Sequence, residues 1–596
     1  MIKNKTLLLL IIIVAVASFS RLWRIDSAPP GLYPDEAMNG NNALEALETG
    51  EFKIFYPENN GREGLFINIQ AISLKVFENK PWALRLISSI FGILTVLGLF
   101  LLTKELFKSR RIALFAGFFL ATSFWHINFS RIGFRAIMAP FFLVWGIYFL
   151  LINFRKIKFC GQNLKIMIFS AVGGILYGLG FYSYIAYRAT PALIIALMLG
   201  YWFTNHKTIN NKKFLLLVAG YWLLVIIIIS PLAFHFYNNP QDFIGRTSQI
   251  SIFSAERPLY ELGKNILKTT GMFWYRGDYN WRHNYAGAPQ LWWPVGILFA
   301  LGIIISFHKI TQNSPKESLR LPMGQAKLKN PARLRMDKVQ AGGQNHNSKL
   351  KTFNFLAVVL RFALCVLRSL FTTIYGFLIL WLIIGLLPVI ISSEGIPHAL
   401  RAIIILPAVM ILCALGLDCI ISKIQNWLKK QKEKYPEYSW QLDRMKKGFI
   451  VLLLAFFTAT AIQSYTKYFI RWANNPYVRN AFSQDLVEIG EYLNSLPQNL
   501  PKYVIINTEK ADATVIPMPA QTVMFITKTY LPKWQEEKNT RYVLPKDISL
   551  LSKNQWLSEN LIIIMLKNDP IFRQELKEKI PNLQSDGSPG FMILKK

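Results

Sequence analysis

Eleven apolar stretches, near residues 6–23, 82–103, 112–129, 136–154, 166–186, 190–204, 214–236, 291–307, 372–391, 401–421 and 448–466, are each apolar enough to cross a hydrocarbon core of roughly 30 Å. Lipid offers no partner to an open backbone N–H or C=O, so a chain built this way is confined to bundled helices. The expected fold class is an α-helical polytopic membrane protein with about 11 transmembrane helices. Composition agrees, since 52% of the 596 residues are hydrophobic and 14% aromatic. Residues 6–23 have the Lys-containing start and apolar core of a signal peptide, but no small-x-small cleavage pattern follows, so a retained first helix is expected.

Orientation follows from the loops. Lys104 to Arg111, Arg155 to Lys158, Lys207 to Lys213, the segment 308–352 with ten basic against two acidic residues, and 423–447 all fall on one face, which the positive-inside rule makes cytoplasmic. Loop 24–81 carries nine acidic against five basic residues and lies opposite, together with loop 237–290 and the tail beyond 466. The N-terminus is therefore expected inside a cell membrane and the C-terminal part outside it.

The net charge of +33 is explained by anionic lipid headgroups next to the basic loops. With no recognition fold and no aromatic-basic groove, no nucleic acid is expected as a partner. Segment 308–352 reads as a flexible cytoplasmic loop, and 353–371, with Arg361 and Arg368 on one helical face, as an interfacial helix. The four Cys, at 160, 365, 413 and 419, offer neither a disulfide framework nor a metal spacing. After Ile470 the pattern changes: Arg479 to Leu496 is helical in period, while Tyr503–Asn507, Thr522–Thr527 and Leu561–Leu566 read as strands, the last followed by a polar helical run. This predicts a membrane domain over 1–466 and a small extracytoplasmic α/β domain over 467–596. The latter has no Gly-rich phosphate loop and no nucleophile elbow, so the chemistry is expected elsewhere.

Candidate chemistry gathers on the outer side. Asp35 and Glu36 follow Pro34 in a Pro-rich loop. If that segment is extended, the two carboxylates point opposite ways, one free to act as a general base while the other orients a neighbour. The same pair also suits the cap of a helix over Ala37–Thr49. Arg62 and Glu63 precede a run, Leu65 to Ile72, that resembles a surface helix. That Arg can grip a phosphate in a bidentate fork, or simply pair with its Glu. Basic residues recur at outer span ends as Arg131 and Arg135, as Arg188 after Tyr184, and as Arg401 after Glu394 and His398, which implies a fixed anionic partner or snorkelling to headgroups. His398 and Arg401, three apart, would share one helical face. Within Arg276–Asn284, Asp278, Trp281 and His283 mix aromatic faces with hydrogen-bonding groups, as carbohydrate recognition requires and as an interfacial aromatic belt also would.

These pieces resemble the GT-C glycosyltransferases that use polyprenyl-phosphate sugars, in particular the protein O-mannosyltransferase and aminoarabinose-transferase-like branch. The resemblance rests on Asp35-Glu36 after the first span, Asn60 to Leu65 before the second, the alternating topology, and Glu394 to Arg401 near a late span, and it covers roughly residues 1–465. Where the family carries an Asp near the third and fourth spans, this chain has Arg135. The resemblance implies Asp35 as catalytic base and basic outer-loop residues, Arg62 among them, on the lipid phosphate. The partners it implies are a polyprenyl-phosphate-linked sugar donor, membrane lipids, and a glycan, lipid or protein acceptor. It implies inversion at the sugar, with no obligatory metal and no other cofactor. From another class, a polytopic transporter or lipid flippase fits the span pattern alone, but internal repeats and midplane charges are not evident.

Overall fold

The computed structural model describes residues 2–159, 163–249, 252–254, 256–312, 366–507, 518–550 and 560–596. Among these, eight helices are long and apolar enough to cross a membrane, and ten if each of two bent pairs is one span. The expected spans 112–129 and 372–391 are those bent pairs. Arg110–Ala121 and Phe124–Arg131 meet at 56°, while Val366–Thr372 turns 92° from Ile374–Ile390. Stretch 166–186 is the shorter apolar helix Ile168–Tyr182, which accounts for the difference from eleven. The loop expected over 308–352 lies outside the described residues beyond Gln312, as does the interfacial helix expected over 353–371 apart from Val366–Thr372. Cys160 and Cys365 lie outside them too, and Cys413 and Cys419 are free thiols.

The loop after the first span is itself structured. Pro34 opens the helix Pro34–Thr49, where its fixed φ and missing N–H cost nothing, and Gly50 closes it with a left-handed φ of 78°. The antiparallel strands β1 (Phe55–Tyr56) and β2 (Arg62–Glu63) then lead into the helix Leu65–Phe77. Pro81 starts the long span Pro81–Phe107.

Beyond the last span the chain runs through Thr466–Trp472 into two helices, Pro476–Ala481 and Gln484–Ser495, and a five-stranded sheet. Its strands are β3 (Lys502–Ile505), β4 (Thr540–Val543), β5 (Ile562–Met565), β6 (Gln584–Asp586) and β7 (Ile593–Lys595), in the order β4-β3-β5-β7-β6. β3 pairs in parallel with β4 and β5, and β7 antiparallel with β5 and β6. The period of two divides the sheet into two buried faces, Val504 and Ile564 on one, Tyr503, Ile505 and Ile563 on the other.

Thr522–Thr527, expected as a strand, instead belongs to the helix Met518–Thr527. Its β-branched residues suggested a strand, but the helix is buried nearly all round, with Ala520, Val523 and Met524 in the core of the sheet and Phe525 in the core of the first inter-span loop, and packing decides the outcome. This helix sits on the loop between the first two spans. Thr522 Oγ1 donates to Leu32 O at 3.0 Å, Asn41 Nδ2 donates to Gln521 O at 3.0 Å, and a Cβ on Gly40 would stand 2.4 Å from the Phe525 ring.

Candidate active site

Asp35 and Glu36 occupy the first turn of the helix Pro34–Thr49, where the positive end of the helix dipole favours acids. The segment is helical rather than extended, and burial rather than strand alternation gives the two carboxylates different surroundings. Glu36 is fully buried. Its Oε2 accepts from Arg85 Nε at 3.1 Å and from the Gly133 N–H at 2.7 Å, and its Oε1 from Arg85 Nη2 and the Tyr33 N–H, both at 3.4 Å. Arg85, equally buried, spends its remaining N–H groups on Pro29 O at 2.7 Å and Gly31 O at 2.6 Å. Gly133 permits this approach, because a Cβ there would lie 3.1 Å from Glu36 Oε2. Glu36 is thus a structural tie between the first inter-span loop, the second span and the 131–134 turn.

Asp35 is half-buried, and its Oδ1 accepts from Asn59 Nδ2 at 3.0 Å. Tyr33, two residues before it, has the Arg282 guanidinium 3.9 Å above its ring. Burial raises the Tyr33 phenol above its usual value, Asp35 raises it further, and Arg282 opposes both.

Arg62 does not stand open to a phosphate. It is buried, donating to Asn39 Oδ1 at 2.8 Å, Asn42 Oδ1 at 2.6 Å, Glu58 O at 3.3 Å and Glu58 Oε2 at 3.4 Å. These bonds fasten β2 to the Asp35 helix. Burial, with Arg135 nearby, draws Arg62 down to about 10, so it stays charged at neutral pH. Glu63 binds Arg135 Nε at 2.9 Å and Arg188 Nη2 at 3.6 Å, and Arg188 also lies 4.4 Å from the Phe243 ring centre. Arg131 is wholly buried on the carbonyls of Ser20, Arg24 and Ala28, so it holds the chain rather than a ligand. Tyr184 is buried among the helices.

A second group comes from two loops. Asp278 Oδ2 accepts from the Ala399 N–H at 2.8 Å and from His283 Nδ1 at 3.0 Å, with His398 Nδ1 3.9 Å away, while Oδ1 accepts from the Asn280 N–H at 2.8 Å. The two imidazoles lie 4.8 Å apart, centre to centre. Burial alone would raise the Asp278 carboxyl, but His283, His398 and the Asn280 N–H together hold it below the usual range. Burial first and His283 second push His398 well below an ordinary histidine, so it is neutral at pH 7. The expectation that His398 and Arg401 share a helical face is corrected: residues 398–402 form a turn, in which the Arg401 N–H donates to His398 Nδ1 at 3.4 Å. Arg401 also bonds Ser392 Oγ and the Glu394 carbonyl, whereas Glu394 itself is exposed. Trp281 stacks on Tyr477, with ring centres 5.5 Å apart. Asp278, His283 and His398 each offer a ligand atom within 4.8 Å of the others, a donor set of the kind that binds zinc-like ions.

Sequence reasoning missed Arg282, Asn59 and Arg85. Arg282 stands between Trp281 and His283, both singled out, and that position was its available signal. Nothing local marks Arg85 as the partner of an acid 49 residues earlier.

Residues 65–235 match the family model described as dolichyl-phosphate-mannose-protein mannosyltransferase. The fold matches ArnT from Cupriavidus metallidurans, solved bound to undecaprenyl phosphate, with a TM-score of 0.52 over 99% of this chain and 98% of that one at 12% identity. The chain shares the fold of this GT-C structure. The archaeal oligosaccharyltransferase AglB from Archaeoglobus fulgidus, in complex with an inhibitory peptide and a dolichol-phosphate, is also similar, at 12% identity and a TM-score of 0.46 over 92% of this chain and 70% of that one. No curated protein sequence matches this chain.

Proposed function

We propose that this glycosyltransferase moves a sugar from a polyprenyl-phosphate donor to a hydroxyl or amine acceptor at the outer membrane surface, with Asp35 as the general base. The observation that carries this reading is the division between neighbours: Asp35 is half-open and steadied by Asn59, while Glu36 is sealed against Arg85. The acceptor oxygen or nitrogen attacks the anomeric carbon, its proton passes to Asp35, and the bond to the phosphate oxygen breaks with its electron pair leaving on phosphate. Attack opposite the leaving group inverts the anomeric configuration.

Arg282, beside Tyr33, is the guanidinium suited to the leaving phosphate, with Arg401 as its companion and neutral His398 as a hydrogen-bonding group. Arg135 and Arg188 are partly neutralised by Glu63 and suit positioning the donor more than bearing the developing charge. Asp278 and His283 hold the loop that presents Arg282, and Trp281 offers that loop an aromatic face for sugar. Asp35 and Arg282 are to lie outside the membrane, the N-terminus inside, and residues 467–596 are to form an outer domain that contacts the acceptor. Single-turnover transfer from a polyprenyl-phosphate sugar tests the reading. Asp35→Asn should abolish most transfer with donor binding retained, and near-normal transfer by the folded variant would overturn it.

A further inference from the structure

The helix Pro258–Gly271 is not among the spans, and its polarity is inverted for a helix packed on protein. Advancing about 100° per residue, Leu259, Tyr260, Gly263, Ile266, Leu267 and Thr270 gather within about 120° of its circumference. Every one of them is exposed, Leu259 to 84% and Leu267 to 76%. What the helix buries instead is polar, Asn265 and Thr269. Lys264 and Lys268, one turn apart, occupy the sector between these two faces, with the Lys264 ammonium 3.1 Å from Glu261 Oε1.

Two anchors fix the height at which this strip lies. Asn265 Nδ2 donates to Ile390 O at 3.0 Å and to Ser392 O at 2.8 Å, at the end of the apolar helix Ile374–Ile390. Just past the helix, Trp274 Nε1 donates to Gly296 O at 2.8 Å, and its ring stacks on Phe299 with centres 5.4 Å apart, near the start of the span Trp293–Gln312. Spans end at the edge of the hydrocarbon, so a helix tied to the ends of two of them lies at the membrane surface. A contiguous exposed apolar strip marks a surface that meets a partner, and at this height the partner at hand is lipid.

We propose that Pro258–Gly271 is seated in the bilayer surface, with Leu259, Ile266 and Leu267 in the hydrocarbon of the leaflet and Lys264 and Lys268 among its headgroup phosphates. The seat supports both loops of the candidate site. Ser392, whose carbonyl takes the Asn265 amide, bonds Arg401 through its hydroxyl, and the chain passes from the helix straight into the loop that carries Asp278 and Arg282. Lipid seating does not depend on the role given to Asp35 or on the reaction proposed above.

Nitroxide accessibility in the full-length protein tests this, in liposomes of phosphatidylcholine with phosphatidylglycerol. The label is carried by a ketone-bearing amino acid in place of Leu259, Leu267 or Lys268, which leaves the native cysteines untouched. Leu454, exposed on the last span, is the lipid reference, and Ile571, 84% exposed on the helix Pro570–Lys579, is the water reference. Labels at 259 and 267 should collide with oxygen over a water-soluble nickel chelate at a ratio several-fold above that at 571 and close to that at 454. A lipid whose headgroup chelates Ni(II) should broaden the label at 268 and leave that at 571 unchanged. The labels replace exposed side chains, so melting should match wild type, and Ile266 serves as the labelled position if either leucine fails that check. Ratios at 259 and 267 equal to that at 571 overturn the proposal. So does shielding of both from oxygen and chelate alike, which would put a protein surface over the strip.

Discussion

Arg85 Nε stands 3.1 Å from Glu36 Oε2 with both side chains fully withdrawn from solvent, and this ion pair joins the second span to the turn that presents Asp35. A pair so placed is expensive to open. Glu36→Gln or Arg85→Ala leaves one charge buried alone or under-bonded and should cost about 3–5 kcal/mol. Thermal unfolding of the purified variants measures it. Unchanged melting in both would remove Glu36 from its structural role.

Asp35→Asn keeps shape and hydrogen bonding but cannot take a proton. It should melt like wild type and lose roughly a hundredfold or more in single-turnover transfer. Asn59→Ala frees the Asp35 carboxylate to rotate and should lower kcat by roughly tenfold with KM for donor nearly constant. A rise in KM alone would make Asn59 a donor contact instead.

Arg282 and Arg62 separate by readout. Arg282→Ala should impair donor use, and Arg282→Lys should recover only part, because an ammonium lacks the planar fork. Arg62→Ala should chiefly lower stability, since its partners Asn39, Asn42 and Glu58 are left behind. Donor affinity and turnover unchanged in folded Arg282→Ala would move the phosphate site away from Tyr33.

The Asp278–His283–His398 group predicts pH dependence in two windows. His398 is held neutral in the fold, with its pKa depressed well below 6.5. The unfolded chain therefore binds the extra proton first, and stability should fall as pH drops below about 6.5. Asp278 is held ionised, so its contribution, present above the unfolded value of 3.8, is lost as pH falls through and below that value. Denaturant midpoints at pH 7.5, 6.0 and 5.0 check the first window, and His398→Gln should flatten it.

Reporter fusions after Lys158, Lys329 and Gly490 test the orientation. The first two should report inside and the third outside. Finding 329 and 490 on one side would break the proposed alternation.

Which parts of this design were legible beforehand follows from how far each determinant reaches along the chain. The spans, the capping Pro34 and the strands β3 and β5 depend on neighbours within a few residues, and local pattern carries them. Pro34-Asp35-Glu36 marked a helix start, but the sealing of Glu36 depends on Arg85, and no local pattern contains that pairing. The helix Met518–Thr527 was misread because its β-branched residues speak for a strand until Gly40 and Leu32 arrive from the first loop to pack against it. His398 and Arg401 were placed together for the wrong reason, since a turn brings their backbone and ring into contact where a helical face was expected.

The seam between the Met518–Thr527 helix and the Pro34–Thr49 helix gives the C-terminal part a lever on the surroundings of Asp35. Leu32, whose carbonyl receives the Thr522 hydroxyl, precedes Asp35 by three residues, and Asn41 lies less than two turns beyond it on the same helix. A ligand or antibody fragment that tilts the sheet would therefore be felt at the acid without touching it. Equally, a chain cut after the last span would lose the clamp that holds that helix in register.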